Sequence, residues 1–304
     1  FFNPAPSEVP LRYSVISLYF RLEGIAASPA LSVIFSLLLL AVCPLTFHFL
    51  DRKYPLRIGP CLALLYAVLV FSCKDALTLS PFHLAAACFS VAMYFSIRSS
   101  LEPYVADHPF TSMMLLGTAS LFYAPLVWIA PVMAFMDNTN STQKGKTIFG
   151  SVAGLLLPMC FLVGIRAIAT GFDDVLAPVM SFLPMTVDID GGVTQMRQPA
   201  TMLQLLMLGV SVIWAVMNFM LTFNTLDIAQ ERSNMHCLVF ALCLSVVAFL
   251  FGASAGSFPW MLVMGPLSLF LYTFFGTQVQ RRSGVFLLVM LLLITVAARI
   301  AIML

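Results

Sequence analysis

Charge is what this chain has least of. Over 304 residues it carries 15 Lys and Arg and 13 Asp and Glu, 9% of the sequence, where a soluble domain carries about 25%. That scarcity excludes an ordinary water-soluble fold. A net charge of +2 excludes the basic surface that nucleic acid demands, so no nucleic-acid partner is expected. Two catalytic signatures are missing as well: there is no Walker loop and no H-E-x-x-H, which removes the commonest routes to phosphoryl transfer and zinc proteolysis. No regular array of Asp, Glu or Arg in the apolar stretches resembles a proton-coupled path, which argues against a primary pump and less strongly against an ion-coupled carrier. The seven cysteines (Cys43, Cys61, Cys73, Cys88, Cys160, Cys237 and Cys243) show no CxxC spacing. They read as small apolar helix residues, not as zinc ligands or a disulfide framework. His48 and His83 each stand alone at the end of an apolar stretch, so metal ligation is not expected of them. Residue 1 is Phe, which points to a start that is processed, trimmed or upstream. Pro4, Pro6, Glu8 and Pro10 interrupt the place where a secretory h-region would lie.

What is present is apolar surface: 61% of residues are hydrophobic and the mean hydropathy is +1.00. The solvent this implies is a lipid bilayer. A spanning helix takes roughly 20 apolar residues, so nine or ten spans nearly exhaust the length and leave no room for a soluble domain. Residues 1–28 read as a Pro-rich extended segment followed, over 12–27, by an interfacial amphipathic helix. Residues 29–304 form a single transmembrane domain, an all-α polytopic bundle. The expected spans are 29–50, 58–74, 81–98, 110–122, 124–136, 148–170, 200–223, 237–255, 258–276 and 285–304.

The stretch 110–136 is one tilted helix or two short ones turning at Tyr123-Ala124-Pro125, and the positive-inside bias decides between them. With a turn there, Arg52, Lys53, Arg57, Arg98, Lys144, Lys146, Arg232, Arg281 and Arg282 all fall on the cytoplasmic side, leaving only Lys74 and Arg197 outside. Without it the second half of the chain inverts and the bias disappears. Two short helices are therefore expected, with their turn in a protein-lined or wet recess because a bare turn in lipid leaves backbone groups unpaired.

This topology places 171–199 outside as the longest loop, apolar in its middle and bracketed by acidic residues. Asp188-Ile189-Asp190 spells D-x-D, and two carboxylates at that spacing can hold a divalent cation, which in turn can neutralise a phosphate. Asp173 and Asp174 would complete an acidic site if the loop folds back. The plainer reading, a solvated acidic loop ending at Gly191-Gly192, is preferred because D-x-D fixes no geometry. No cofactor is expected unless this site is real, in which case it is the divalent cation. Arg166 lies near the outer end of its span, where it either snorkels, the favoured reading, or binds a phosphate beside the acidic loop. Arg299 and the pair Lys74–Asp75 read as interfacial. Glu102, Asp107 and His108 share one inner loop. A carboxylate beside a histidine suggests acid–base work, but no nucleophile accompanies them, and loop solvation with helix capping by Asp107 ahead of Pro109 is the better reading. Gly150, Ser151 and Gly154, and the run Gly252 to Gly256, are small residues that let helices approach closely.

Two stretches taken together carry a resemblance. They are 79–136 followed by a basic loop and 150–165, and 259–293; their most specific elements are Gly117 with Leu121-Phe122-Tyr123-Ala124-Pro125, and Gly265-Pro266-Leu267-Ser268. Their order and spacing resemble an uncharacterised family of polytopic inner-membrane proteins from Bacteroidetes, over most of the chain from about residue 29. The resemblance implies an inner-membrane, cell-envelope protein and carries over no catalytic residue. A more distant similarity is to the membrane glycosyltransferases that use polyprenyl-phosphate sugars, which also pair a Gly-containing short helix, a sharp turn, a second helix and a basic cytoplasmic loop. Those enzymes carry an acidic residue in a first outer loop. Here the N-terminal region offers only Glu8 and Glu23, and a first span is not evident. The expected function is thus a non-catalytic accessory or scaffold component with a membrane-protein partner. A glycosyltransferase-like enzyme acting on a polyprenyl-phosphate-linked sugar comes second, and a lipid or small-molecule transporter third.

Overall fold

The computed structural model of the chain describes residues 28–54, 56, 61–71, 73, 76–105, 107–139, 141–170, 199–222, 226–251, 260–278 and 289–297. Among the described residues every regular element is a helix. In chain order they are α1 (Pro29–Lys53), α2 (Cys61–Phe71), α3 (Pro81–Leu101), α4 (Asp107–Phe122), a 3-10 helix (Ala124–Ile129), α5 (Ala130–Thr139), α6 (Lys144–Thr170), α7 (Pro199–Thr222), α8 (Ile228–Phe251) and α9 (Trp260–Gln278). A further helical stretch covers 289–297. The interfacial helix expected at 12–27 lies outside the described residues.

Helix suits so apolar a chain in lipid, because it satisfies each carbonyl and amide within its own segment. Among the described residues four helices are both long and apolar enough to cross a membrane: α1, α3, α6 (over Lys144–Ile165) and α8; Leu62–Phe71 and Trp260–Tyr272 are shorter apolar helices. Where nine to ten spans are expected, the described residues show four helices of spanning length and shorter apolar ones beside them. Helix α3 is the centre of the bundle, with 61% of its apolar window buried, against 11% for α6, which lies at the rim. Around α3 pack α1, α4, α5, α8 and α9, while α6 lies along α4 and α5. The core runs through Phe47, Phe82, Phe89, Met93, Ile97, Leu116, Phe240 and Phe270.

The stretch 107–139 folds as a helical hairpin. Helix α4, 16 residues long, rises about 24 Å at 1.5 Å per residue. At its far end Tyr123 meets Phe82, at the start of α3, edge to face with ring centroids 5.3 Å apart. The 3-10 helix and α5 then return. Thr142, just past α5, places its Oγ1 3.2 Å from the Pro103 carbonyl, just ahead of α4, so both ends of the hairpin lie at one level. The turn at Tyr123-Ala124-Pro125 is as the charge bias required, and Tyr123, Ala124, Pro125 and Leu126 are buried against protein. Its backbone is closed by Tyr123 N–H to Ala119 O and Leu126 N–H to Tyr123 O.

Two glycines set how closely the hairpin meets α6. A Cβ on Gly117 would lie 2.7 Å from the Leu155 carbonyl oxygen, and one on Gly154 would overlap the Phe110 carbonyl oxygen. Neither position has room for a side chain, so the two backbones approach as in small-residue membrane helix pairs. The expected role of Gly154 is borne out, and Gly117 supplies the matching notch on α4. The other small-residue run, 252–256, lies outside the described residues.

Among the boundaries that differ from expectation, two concern polar and charged residues. Helix α8 begins at Ile228, not at 237, because Gln230, Ser233, Asn234 and His236 are buried within it; hydropathy alone cannot start a span on polar residues that packing conceals. Helix α4 begins at Asp107, so Asp107 lies in its first turn. There its charge suits the helix N-terminus, instead of capping a helix begun at Pro109.

Candidate functional site: a carboxylate shared by three basic side chains

Where α1, α3 and α4 meet at one end of the bundle, Glu102 gathers the described ion pairs. It follows the last turn of α3, and its backbone N–H bonds to the Arg98 carbonyl. Lys53 Nζ, from the last turn of α1, lies 2.7 Å from Oε1. Arg98 Nη2 lies 3.0 Å and His108 Nε2 2.8 Å from Oε2. Arg98 is also held over the rings of Tyr94 and Phe95, its guanidinium carbon 5.6 and 5.9 Å from their centroids, and Lys53 lies 5.6 Å over Tyr54. The Tyr54 hydroxyl is buried beside this group and bears on both Glu102 and Arg98.

Burial by itself would raise the Glu102 carboxyl, but Lys53, Tyr54, His108 and Arg98 outweigh it and hold the group well below the usual carboxylate range. For His108 the balance falls the other way. Burial lowers it below the ordinary imidazole value and outweighs the attraction of Glu102. His108 is therefore neutral at physiological pH and donates from Nε2 to an ionised Glu102. Arg98 is the better fixed of the two permanent cations, with 18% of its side chain exposed against 43% for Lys53, and the Lys53 pair counts for less because water screens it.

The same end collects further polar contacts. Arg232 of α8 donates through Nη1 to the Ser100 carbonyl, one of the carbonyls left over at the end of α3. Ser141 and Thr147 hydroxyls meet at 2.6 Å across the loop between α5 and α6. Lys53, Arg98, Lys144, Lys146 and Arg232 thus lie toward one end, as the charge bias anticipated.

The acid–base reading of the inner loop is answered by geometry. The histidine pairs with Glu102, six residues away, and the adjacent Asp107 is not its partner. Each oxygen of the carboxylate is already occupied, an arrangement that fastens three helices together. His83 is likewise structural: the Ser80 N–H donates to its Nδ1 at 3.2 Å, and its Nε2 lies 3.2 Å from the Ala76 carbonyl, closing the start of α3. Asp173, Asp174, Asp188, Asp190, Arg299, Lys74 and Asp75 lie outside the described residues. Arg166 is in the backbone of α6. Among the described residues no group of three His, Cys, Asp or Glu is placed to hold a metal ion.

Hydropathy missed a set of buried polar side chains. Asp137 has no exposed surface and accepts from Ser96 at 2.6 Å and Ser112 at 2.9 Å. Asn234 is fully buried with both amide atoms unpartnered, and Ser233 Oγ and His236 Nε2 are buried and unpartnered too. The available signal was a single Asp at the end of the second short helix, and an Asn and a His just ahead of the eighth span.

Apolar helices of spanning length, exposed Phe149, Phe161 and Ile168 along α6 and a helical hairpin closed within the bundle define a helical, multi-pass membrane protein. No protein-family model, curated protein or solved structure matches the chain.

Proposed function

We propose that this protein is a multi-pass component of the bacterial inner membrane that serves the cell envelope as a non-catalytic accessory or scaffold subunit, bound to a membrane-protein partner. Kinship with the Bacteroidetes inner-membrane family is part of the same reading. The observation that carries it is the Glu102 cluster. The best-formed acid–base group among the described residues has its carboxylate taken by Lys53, Arg98 and His108, which suits a fastening better than a reactive centre. The rim helix α6, with its exposed Phe149, Val152, Leu156 and Phe161, offers the partner an apolar edge.

Native mass spectrometry of the gently extracted chain, recording lipids and co-purifying proteins together, tests this. A stoichiometric protein partner with only bulk phospholipid is expected. A stoichiometric polyprenyl-phosphate lipid would overturn it in favour of a glycosyltransferase-like enzyme, and would direct mutagenesis to Asp173, Asp174, Asp188, Asp190 and Arg166, with a divalent cation as the cofactor.

A further inference from the structure

One turn inside the bundle from the Glu102 cluster lies a second polar centre with a different chemistry. Asp137 of α5 has no exposed surface. Ser96 of α3 donates to its Oδ1 and Ser112 of α4 to its Oδ2. No ion pair reaches it among the described residues. The basic groups on the elements packed around it are engaged or turned away: Arg98 on α3 and His108 on α4 are bound to Glu102, and Lys144 and Lys146 at the start of α6 are exposed. Glu102 itself is neutralised by its own partners, and Asp107, in the first turn of α4, is exposed. Two neutral hydroxyls do not cancel a charge, and a bare carboxylate inside a bundle costs several kcal/mol. Ionisable groups so placed in membrane proteins mark ion or proton sites.

A third hydroxyl is buried on α6, the helix packed against α4 and α5. Helices α5 and α6 are joined by the short loop 140–143 and run antiparallel, and Ser141 meets Thr147 across it. About one helical turn inward along each strand of this connection brings Asp137 and Ser151 to the same depth. Gly154, three residues further, is pressed on Phe110 of α4, which sets α6 at the level of Ser112. Ser151 is 1% exposed, and its hydroxyl has no hydrogen-bond partner.

We propose that Asp137, Ser96, Ser112 and Ser151 form a binding site for one small monovalent cation, a proton or a sodium ion. One negative charge matches one positive charge. A carboxylate with hydroxyls is a hard oxygen set that suits sodium and gives no hold to a thiophilic or imidazole-seeking metal. A divalent ion would leave an uncompensated charge in the bundle. With a proton in place, the carboxyl is neutral and still accepts from Ser96 and Ser112. The site goes beyond the scaffold reading and does not depend on it.

The test uses the full chain in phospholipid nanodiscs, with sodium chloride or choline chloride at equal ionic strength. Infrared difference spectra follow the carbonyl stretch of a protonated carboxyl between mildly alkaline and mildly acidic pH, and thermal unfolding follows stabilisation by sodium. A band, or a sodium-dependent rise in unfolding temperature, that Asp137→Asn abolishes is the expected result. Bleaching of the band by sodium identifies sodium as the ligand, and a band indifferent to sodium identifies the proton. Ser151→Ala removes only an unpartnered hydroxyl, keeps the fold readable and should move the cation midpoint about tenfold, the effect of one lost hydrogen bond or ligand. The proposal is overturned if the wild type shows neither response, if Asp137→Asn leaves both unchanged, or if Ser151→Ala leaves the midpoint where it was. Should Asp137→Asn not accumulate, the Ser151→Ala midpoint decides alone.

Discussion

At Glu102 one carboxylate answers Lys53, Arg98 and His108, and removing it strands all three donors at once. Glu102→Ala should destabilise the chain by about 2–3 kcal/mol, the scale of hydrogen bonds to a charged group, read by thermal or denaturant unfolding in detergent. Lys53→Ala, at the more exposed partner, should cost under about 1 kcal/mol. The acid dependence has a definite sign. Glu102 is held below its ordinary 4.5, so its contribution is full above that value and is lost as pH falls from there through the folded-state value. His108 is held below its ordinary 6.5 by burial, against the pull of Glu102; its contribution too is full above that value and shrinks as pH falls. Stability should therefore decline on acidification in two stages, and Glu102→Gln should remove the more acidic stage while leaving the first. A second residue behaves oppositely. Asn234 is buried with neither amide atom bonded, so Asn234→Leu should be neutral or stabilising by about 1 kcal/mol; a loss above 2 kcal/mol would mean that the amide has a partner. The sequence brought Glu102 and His108 onto one loop but could not pair them, because adjacency in the chain favours Asp107 and the loop's fold favours Glu102. Asp137 was harder still, since an isolated acid at a helix end reads the same whether solvated or enclosed.

For the elements, the contact of α4 with α6 depends on what Gly117 and Gly154 lack. Gly154→Ala would drive a methyl group into the Phe110 carbonyl and Gly117→Ala one into the Leu155 carbonyl, and each should destabilise by about 1–3 kcal/mol as overpacking does. Gly164→Ala, in the same helix α6 and with nothing within 4 Å of the added carbon, should be harmless or favourable by up to about 1 kcal/mol. Unfolding of the three variants side by side checks the contrast, and equal effects would show that the glycines act through helix propensity alone. The small-residue spacing at Gly150, Ser151 and Gly154 was legible from sequence because close approach demands those residue types. Its partner notch at Gly117 was visible only as a recurring motif element, since nothing in a single sequence says which helix faces which. The early start of α8 was illegible for a related reason: Gln230, Ser233 and Asn234 look like loop residues until the bundle buries them.

On the scale of the whole molecule, the fold turns on the hairpin 107–139, which enters and leaves the bundle at one end. Hydropathy announced the membrane class, and the distribution of Lys and Arg announced the turn at Tyr123-Ala124-Pro125, because charge bias sums over many loops and survives errors in any one of them. The number of spans was less legible. Helix length in lipid can be met by a long helix, a short helix or half of a hairpin, and composition does not distinguish them. The most direct measurement places single cysteines at Tyr104 and Gln143, both exposed and flanking the hairpin, in a background freed of the native cysteines, and labels them with a membrane-impermeant maleimide in intact cells and in inverted vesicles. The hairpin requires both positions to react from the same side, the side on which Lys144→Cys also reacts. Labelling of Tyr104→Cys and Gln143→Cys from opposite sides would contradict it.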